Sequence, residues 1–98
     1  MNLDKAITQT IITLAKTYDF IDKVVLFGSR ARGDNNPTSD IDLAIWGTEN
    51  INEFAYSLDE QAPTLLEFDL SYMNDIEDDF FVEQILKEGI VLYEKSRL

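Results

Sequence analysis

The sequence predicts an α/β (α+β) domain: helices flanking a small mixed sheet, in the order α-β-short α-β-α-β-α-β. Three observations carry this. Amphipathic segments alternate with short runs rich in β-branched residues, the pattern of helices packed around one sheet. Turn signals at Gly28-Ser29, Pro37, Gly47-Thr48 and Ala62-Pro63 separate those segments. At 98 residues with 45% hydrophobic residues, the chain has material for one core, and residues 1–98 read as a single domain.

Each element has its own signal. Leu3, Ile7, Ile11, Leu14 and Tyr18 recur at helical spacing, so residues 3–18 form an amphipathic helix that Asn2 or Asp4 can cap. The run VVLF (24–27) reads as a buried strand, stopped by Gly28-Ser29. RARG (30–33) forms one helical turn closed by Gly33, and DNNPTS (34–39) is turn-rich. DIDLAIW (40–46) is the second strand, with Ile41, Leu43 and Ile45 on one side and Asp40, Asp42, Ala44 and Trp46 on the other. A helix follows at 50–60, then a third strand, TLLEFDL (64–70). A long helix spans 74–88 with Gly89 at its C′ position, and IVLYE (90–94) is the last strand. That long helix has two apolar sides: Met73, Ile76 and Phe80 on one, and Phe81, Val82, Ile85 and Leu86 nearly opposite. One side suffices for packing on a sheet, so the second fits either a crowded corner or a protein partner.

Composition removes many chemistries. The chain has no cysteine, which excludes disulfides, thiolate metal sites and cysteine nucleophiles. It has no histidine, which excludes histidine triads and histidine-ligated metals within the chain. No apolar run nears the length of a membrane span and no secretory leader is visible, so the cytoplasm is the expected compartment. The net charge is −11, and between Arg32 and Lys87 there are 14 acidic residues and no basic one. Such a surface repels nucleic acid; most of it reads as a solvated acidic face, and the sharper reading is a site for divalent cations or a face for a basic partner.

The chemistry concentrates in one stretch. Asp40 and Asp42 are two apart on a strand, so both carboxylates project from one face, a costly arrangement unless a cation sits between them. Oxygen-only ligation suits Mg²⁺ or Mn²⁺. A two-metal site needs a third acid, and Asp69 and Glu67 share the required parity on the next strand, with Asp69 nearer its end. Upstream, Gly28 allows a tight turn, after which the Ser29 hydroxyl and nearby backbone N–H groups can cradle phosphate. Arg30 and Arg32 can neutralise phosphate charge, but residues two apart in a helical turn do not share a face, so one of them is expected to contact it.

These residues resemble a known signature. GSRARGDNNPTSDIDLAI (28–45) looks like the motif of the polymerase-β-like nucleotidyltransferase superfamily: Gly-Ser, ten residues, then Asp-x-Asp. Gly28, Ser29, Asp40 and Asp42 meet it without departure, and Asp69 in LLEFDL matches the third family carboxylate. The whole chain is similar to the minimal, single-domain branch, of which MntA-type antitoxins paired with HEPN ribonuclease toxins are members. The resemblance implies two Mg²⁺ ions on Asp40, Asp42 and Asp69, ATP held around Gly28, Ser29 and an arginine, and in-line attack on the α-phosphate with loss of pyrophosphate. It also implies AMP transfer to a tyrosine of a HEPN toxin, which helix 74–88 would help to contact. The alternatives are an antitoxin that blocks its partner by contact alone, and nucleotidyl transfer to a small molecule; transfer to nucleic acid is disfavoured by the charge.

Overall fold

The computed structural model describes residues 1–96. Its frame is a four-stranded sheet in the order β3-β2-β1-β4, made of β1 (Ile21–Phe27), β2 (Ile41–Gly47), β3 (Phe68–Tyr72) and β4 (Ile90–Glu94). β1 runs antiparallel to β2 and β4, while β2 and β3 are parallel, so the sheet is mixed as the sequence predicts. A parallel pair needs a crossover, and α3 (Asn52–Gln61) supplies it.

Alternation along the strands divides the core into two layers. Val24, Leu26, Ile41, Leu43 and Ile45 face α1 (Lys5–Thr17) and α3, packing on Ile7, Ile11, Leu14, Phe54 and Leu58. Val25 and Ala44 face the other way, onto Met73, Ile85, Phe81 and Val82. Of the two capping candidates for α1, Asp4 does the work: its carboxylate accepts the Ala6 N–H at 2.8 Å. Between β1 and β2 lies the short helix α2 (Ser29–Arg32), ended by Gly33 in the left-handed conformation at φ +87°.

The helix expected over 74–88 is two pieces. Met73–Asp75 forms a 3-10 turn, and the α-helix, α4 (Asp79–Glu88), starts after it. Asp78 breaks the run, because its side chain accepts the N–H groups of Phe80 and Phe81 and so caps a new helix. Asn74 is held outside the α-helix by Gly47, whose N–H it accepts at 3.1 Å and whose carbonyl it donates to at 2.7 Å. The two-sided helix therefore dissolves. Met73 and Ile76 pack into the second layer from the turn and the segment after it, and Phe81, Val82 and Ile85 pack there from α4. Phe80 and Leu86 remain 73% and 55% exposed.

Three smaller expectations also shift. The third strand begins at Phe68 rather than 64, leaving Leu65 in solvent before it. Gly89 ends α4 at φ −74°, so no left-handed cap explains it; a Cβ there would lie 2.3 Å from Val25 Cγ1. β1 starts three residues earlier than VVLF, with Lys23 lying over the Trp46 ring and 3.8 Å from Glu94. Among the described residues no helix is long and apolar enough to cross a membrane.

Candidate active site

The carboxylates meet because of strand register. Asp42 pairs with Phe27 of β1 on one side and with Asp69 of β3 on the other. Asp40 lies one residue before β2, and the Ile41 N–H between the two aspartates bonds to the Glu67 carbonyl at 2.9 Å, which anchors the start of β2 to the approach of β3. The register thus sets Asp69, rather than Glu67, level with Asp42; Glu67 contributes its backbone carbonyl to this anchor.

Gly28 follows Phe27 directly and closes the site from the β1 side. Its backbone, at φ +75° and ψ −157°, is in a region essentially reserved for glycine. A Cβ on Gly28 would lie 2.3 Å from the Asp42 carboxylate oxygen. The glycine is therefore needed twice, for its backbone angles and to give the Asp42 carboxylate room.

The electrostatics are those of an under-compensated acid cluster. Burial, then the negative charges of Asp69 and Asp40, push the Asp42 carboxyl above the usual carboxylate range. A hydrogen bond with Asp69 acts in the same direction, and Arg32 pulls the other way. The guanidinium of Arg32 is exposed, with Nε 3.2 Å from Asp34 and Nη1 3.7 Å from Glu88 at the end of α4.

The two arginines have different surroundings. Arg32 stands beside the site, where Asp42 feels its charge. Arg30 is 6% exposed and points between the loop that leads into β2 and the N-terminal stretch, where Nε donates to the Ser39 carbonyl, Nη1 to the Asn2 carbonyl and Nη2 to the Pro37 carbonyl. Of the two arginines, one of which was expected at the phosphates, Arg30 has all three guanidinium nitrogens engaged by backbone carbonyls, whereas Arg32 is exposed beside Asp42. Ser29, half-buried, opens α2 next to Gly28.

One part of this region was hidden from sequence reasoning. A cavity of about 240 Å³ adjoins Gly28 and Arg32, walled by Phe27, Phe81, Gln84, Ile85 and Glu88. Phe27 and Phe81 of its lining pack edge to face on one another, with ring centroids 5.9 Å apart. The α4 residues lie more than fifty positions after Gly28, and no local motif marks them.

Comparison with known proteins places this arrangement. Residues 9–98 match the family model described as polymerase beta, nucleotidyltransferase, and the chain belongs to that family: it is a nucleotidyltransferase. It is 35% identical over 103 residues to a protein of Methanocaldococcus jannaschii described as a protein adenylyltransferase, covering 95% of this chain and all of that one. In fold it is similar to a chain of a toxin–antitoxin complex solved with AMP-PNP, at TM-score 0.72 and 23% identity, covering 92% of this chain and 75% of that chain. It is similar also to a chain in the complex of a tri-AMPylated Shewanella oneidensis HEPN toxin with its MNT antitoxin, at TM-score 0.62 and 19% identity, covering 91% and 71%.

Membership implies a divalent metal, and the donor set fits one. Asp42 and Asp69 are paired on neighbouring strands with Asp40 just before β2, and the burial and repulsion that raise Asp42 are what a cation relieves. Among the described residues no three acidic side chains form a ready-made metal cage. A hard ion that keeps waters and shares substrate phosphates, as Mg²⁺ does, suits such an open set.

Proposed function

We propose that this chain transfers AMP from ATP to a tyrosine hydroxyl of a HEPN ribonuclease partner, and so acts as its antitoxin in the cytoplasm. The observation that carries the assignment is the parallel register of Asp42 with Asp69 beside the Gly28 turn, which supports a carboxylate triad with Asp40. Asp40, Asp42 and Asp69 would hold two Mg²⁺ ions, or Mn²⁺, which when bound offset charge on the phosphoryl oxygens and ease ionisation of the attacking hydroxyl.

The protein's own groups do the rest. The Ser29 hydroxyl and the backbone N–H groups beside it bind the triphosphate, oriented by the Gly28 turn. Arg32 neutralises phosphate charge, for which its exposed guanidinium is free to exchange Asp34 and Glu88 for substrate oxygens. Asp69, exposed at the edge of the sheet, accepts the proton of the acceptor hydroxyl. The acceptor oxygen then bonds to the α-phosphorus and the bond to pyrophosphate breaks. No histidine is required as acid, because pyrophosphate departs as a stabilised anion.

Partner contact falls to α4, where Phe80 and Leu86 lie exposed next to the cavity wall. The similarity to the Methanocaldococcus protein adenylyltransferase and to the HEPN-toxin complexes supports this choice of acceptor. Co-expression with the HEPN protein tests it. The wild-type chain restores growth, whereas Asp40→Asn, Asp42→Asn binds the partner and fails to restore it. Full rescue by that double variant would instead assign the chain a blocking role by contact.

A further inference from the structure

Among the described residues, Arg30 stands out as a charge buried without a charged partner. Taking a guanidinium out of water is costly unless its donors are satisfied. Among the described residues its partners are all backbone carbonyls: Ser39 at 3.0 Å, Asn2 at 3.2 Å and Pro37 at 3.2 Å. These come from two segments distant in sequence, the N-terminal stretch and the loop that leads into β2. Ser39 is the residue immediately before Asp40.

The surrounding bonds make this a clamp rather than a single contact. The Asn2 N–H donates to the Arg30 carbonyl at 2.8 Å, so Arg30 holds the N-terminal stretch by backbone and side chain together. The Asn2 side chain reaches Asn35 at 3.0 Å. Within the loop, Asn36 and Ser39 close on one another: the Ser39 N–H donates to the Asn36 carbonyl, and the Asn36 N–H to the Ser39 hydroxyl. The loop has Pro37 but no apolar residue that could anchor it in the core. Its position therefore rests on this polar network, with the guanidinium at its centre. Asp42 is fixed by the sheet on both sides, whereas Asp40 lies one residue outside it, held on one side by the Ile41–Glu67 backbone bond and on the other by the loop.

We propose that Arg30 is a positioning residue. Its buried fork grips the carbonyls of Asn2, Pro37 and Ser39 and thereby sets Asp40 against Asp42, while Arg32 alone serves the phosphates. This rests on Asp40 and Asp42 as metal ligands. Lysine cannot replace Arg30, because a compact ammonium does not span three carbonyls that a planar fork reaches at once.

The test compares Arg30→Lys, Arg30→Met and Arg32→Met with the wild-type protein in three measurements: Mn²⁺ affinity by titration calorimetry, ATP affinity without metal, and amide hydrogen exchange. Arg30→Lys should weaken Mn²⁺ binding about 10–100-fold, the range for groups that orient metal ligands. It should leave metal-free ATP affinity within about twofold and speed exchange at Asn36 and Ser39 with the β1 and β2 amides unchanged. Arg32→Met should do the opposite, losing ATP affinity and keeping Mn²⁺ affinity and loop protection. If Arg30→Met does not fold, Arg30→Lys carries the decision. Wild-type Mn²⁺ affinity and loop protection in Arg30→Lys would overturn the positioning role, as would a loss of metal-free ATP affinity equal to that of Arg32→Met. Absence of Mn²⁺ binding by the wild-type protein would overturn the metal assignment and this proposal with it.

Discussion

Gly28→Ala isolates the closest steric contact in the site. Two effects follow from the one added methyl group. Its backbone, at φ +75° and ψ −157°, becomes strained, which costs about 1–3 kcal/mol for a non-glycine residue. For a domain of this size that lowers Tm by roughly 5–15 °C. The methyl carbon would also sit 2.3 Å from the Asp42 carboxylate oxygen, so the carboxylate must move by about an ångström to reach ordinary contact. Misplacement on that scale costs roughly 100-fold in rate. Gly33→Ala is the matched control: the backbone is again left-handed at φ +87°, but a Cβ there meets nothing within 4 Å. It should lose stability, about 1–2 kcal/mol, and no activity. Thermal unfolding and initial rates of AMP transfer, taken at a temperature where each variant is fully folded, separate the two effects. Full activity in Gly28→Ala, or equal inactivation of both variants, would refute the claim that Gly28 exists to make room for Asp42.

Other outcomes follow from the same geometry. Because the folded state raises the Asp42 pKa, it holds that proton more tightly than the unfolded chain; the stability this confers is present at low pH and lost as pH rises from the ordinary carboxylate range through the raised folded value. In EDTA, Asp42→Asn should therefore flatten the fall of Tm across that window, and an unchanged Tm profile would contradict the electrostatic account. Arg32→Met should leave Tm unaltered, since its ion pairs are exposed, and should slow transfer about 10²–10³-fold. Phe54→Ala, at a fully buried position under Tyr18, should cost about 3–5 kcal/mol by chemical denaturation. Phe80→Ala should cost within about 0.5 kcal/mol and weaken HEPN partner binding in a pull-down or titration, and unaltered affinity would remove α4 from the interface.

Legibility of this chain in its sequence followed the range of the forces involved. The α1 stripe and the β2 alternation are local patterns enforced by one buried face, and both appear in the structure nearly where their periodicity puts them. The motif residues Gly28, Asp40 and Asp42 were legible because the constraint on them is local as well: a turn that only glycine makes, and two acids at strand spacing. What was misjudged depended on distant partners. Asp78 looked like one more acid in a helix, but with its side chain capping Phe80 and Phe81 it begins one. Asn74 looked helical until Gly47, 27 residues away, claimed both ends of its amide. Arg30 and Arg32 are equivalent by composition; only the Asn2, Pro37 and Ser39 carbonyls distinguish them. Lys23 hid the start of β1, because its polarity is accommodated by Trp46 and Glu94 rather than by solvent.

The most direct measurement follows the two ends of ATP separately. The protein is incubated with Mg²⁺, the purified HEPN partner and ATP labelled either on the α- or the γ-phosphate. The α-label should appear covalently on a partner tyrosine, the γ-label should leave as pyrophosphate, and both should stay with ATP when Asp42→Asn replaces the wild-type chain. Label from the γ-phosphate on the partner, or α-label transferred equally well by Asp42→Asn, would contradict AMP transfer by the carboxylate site.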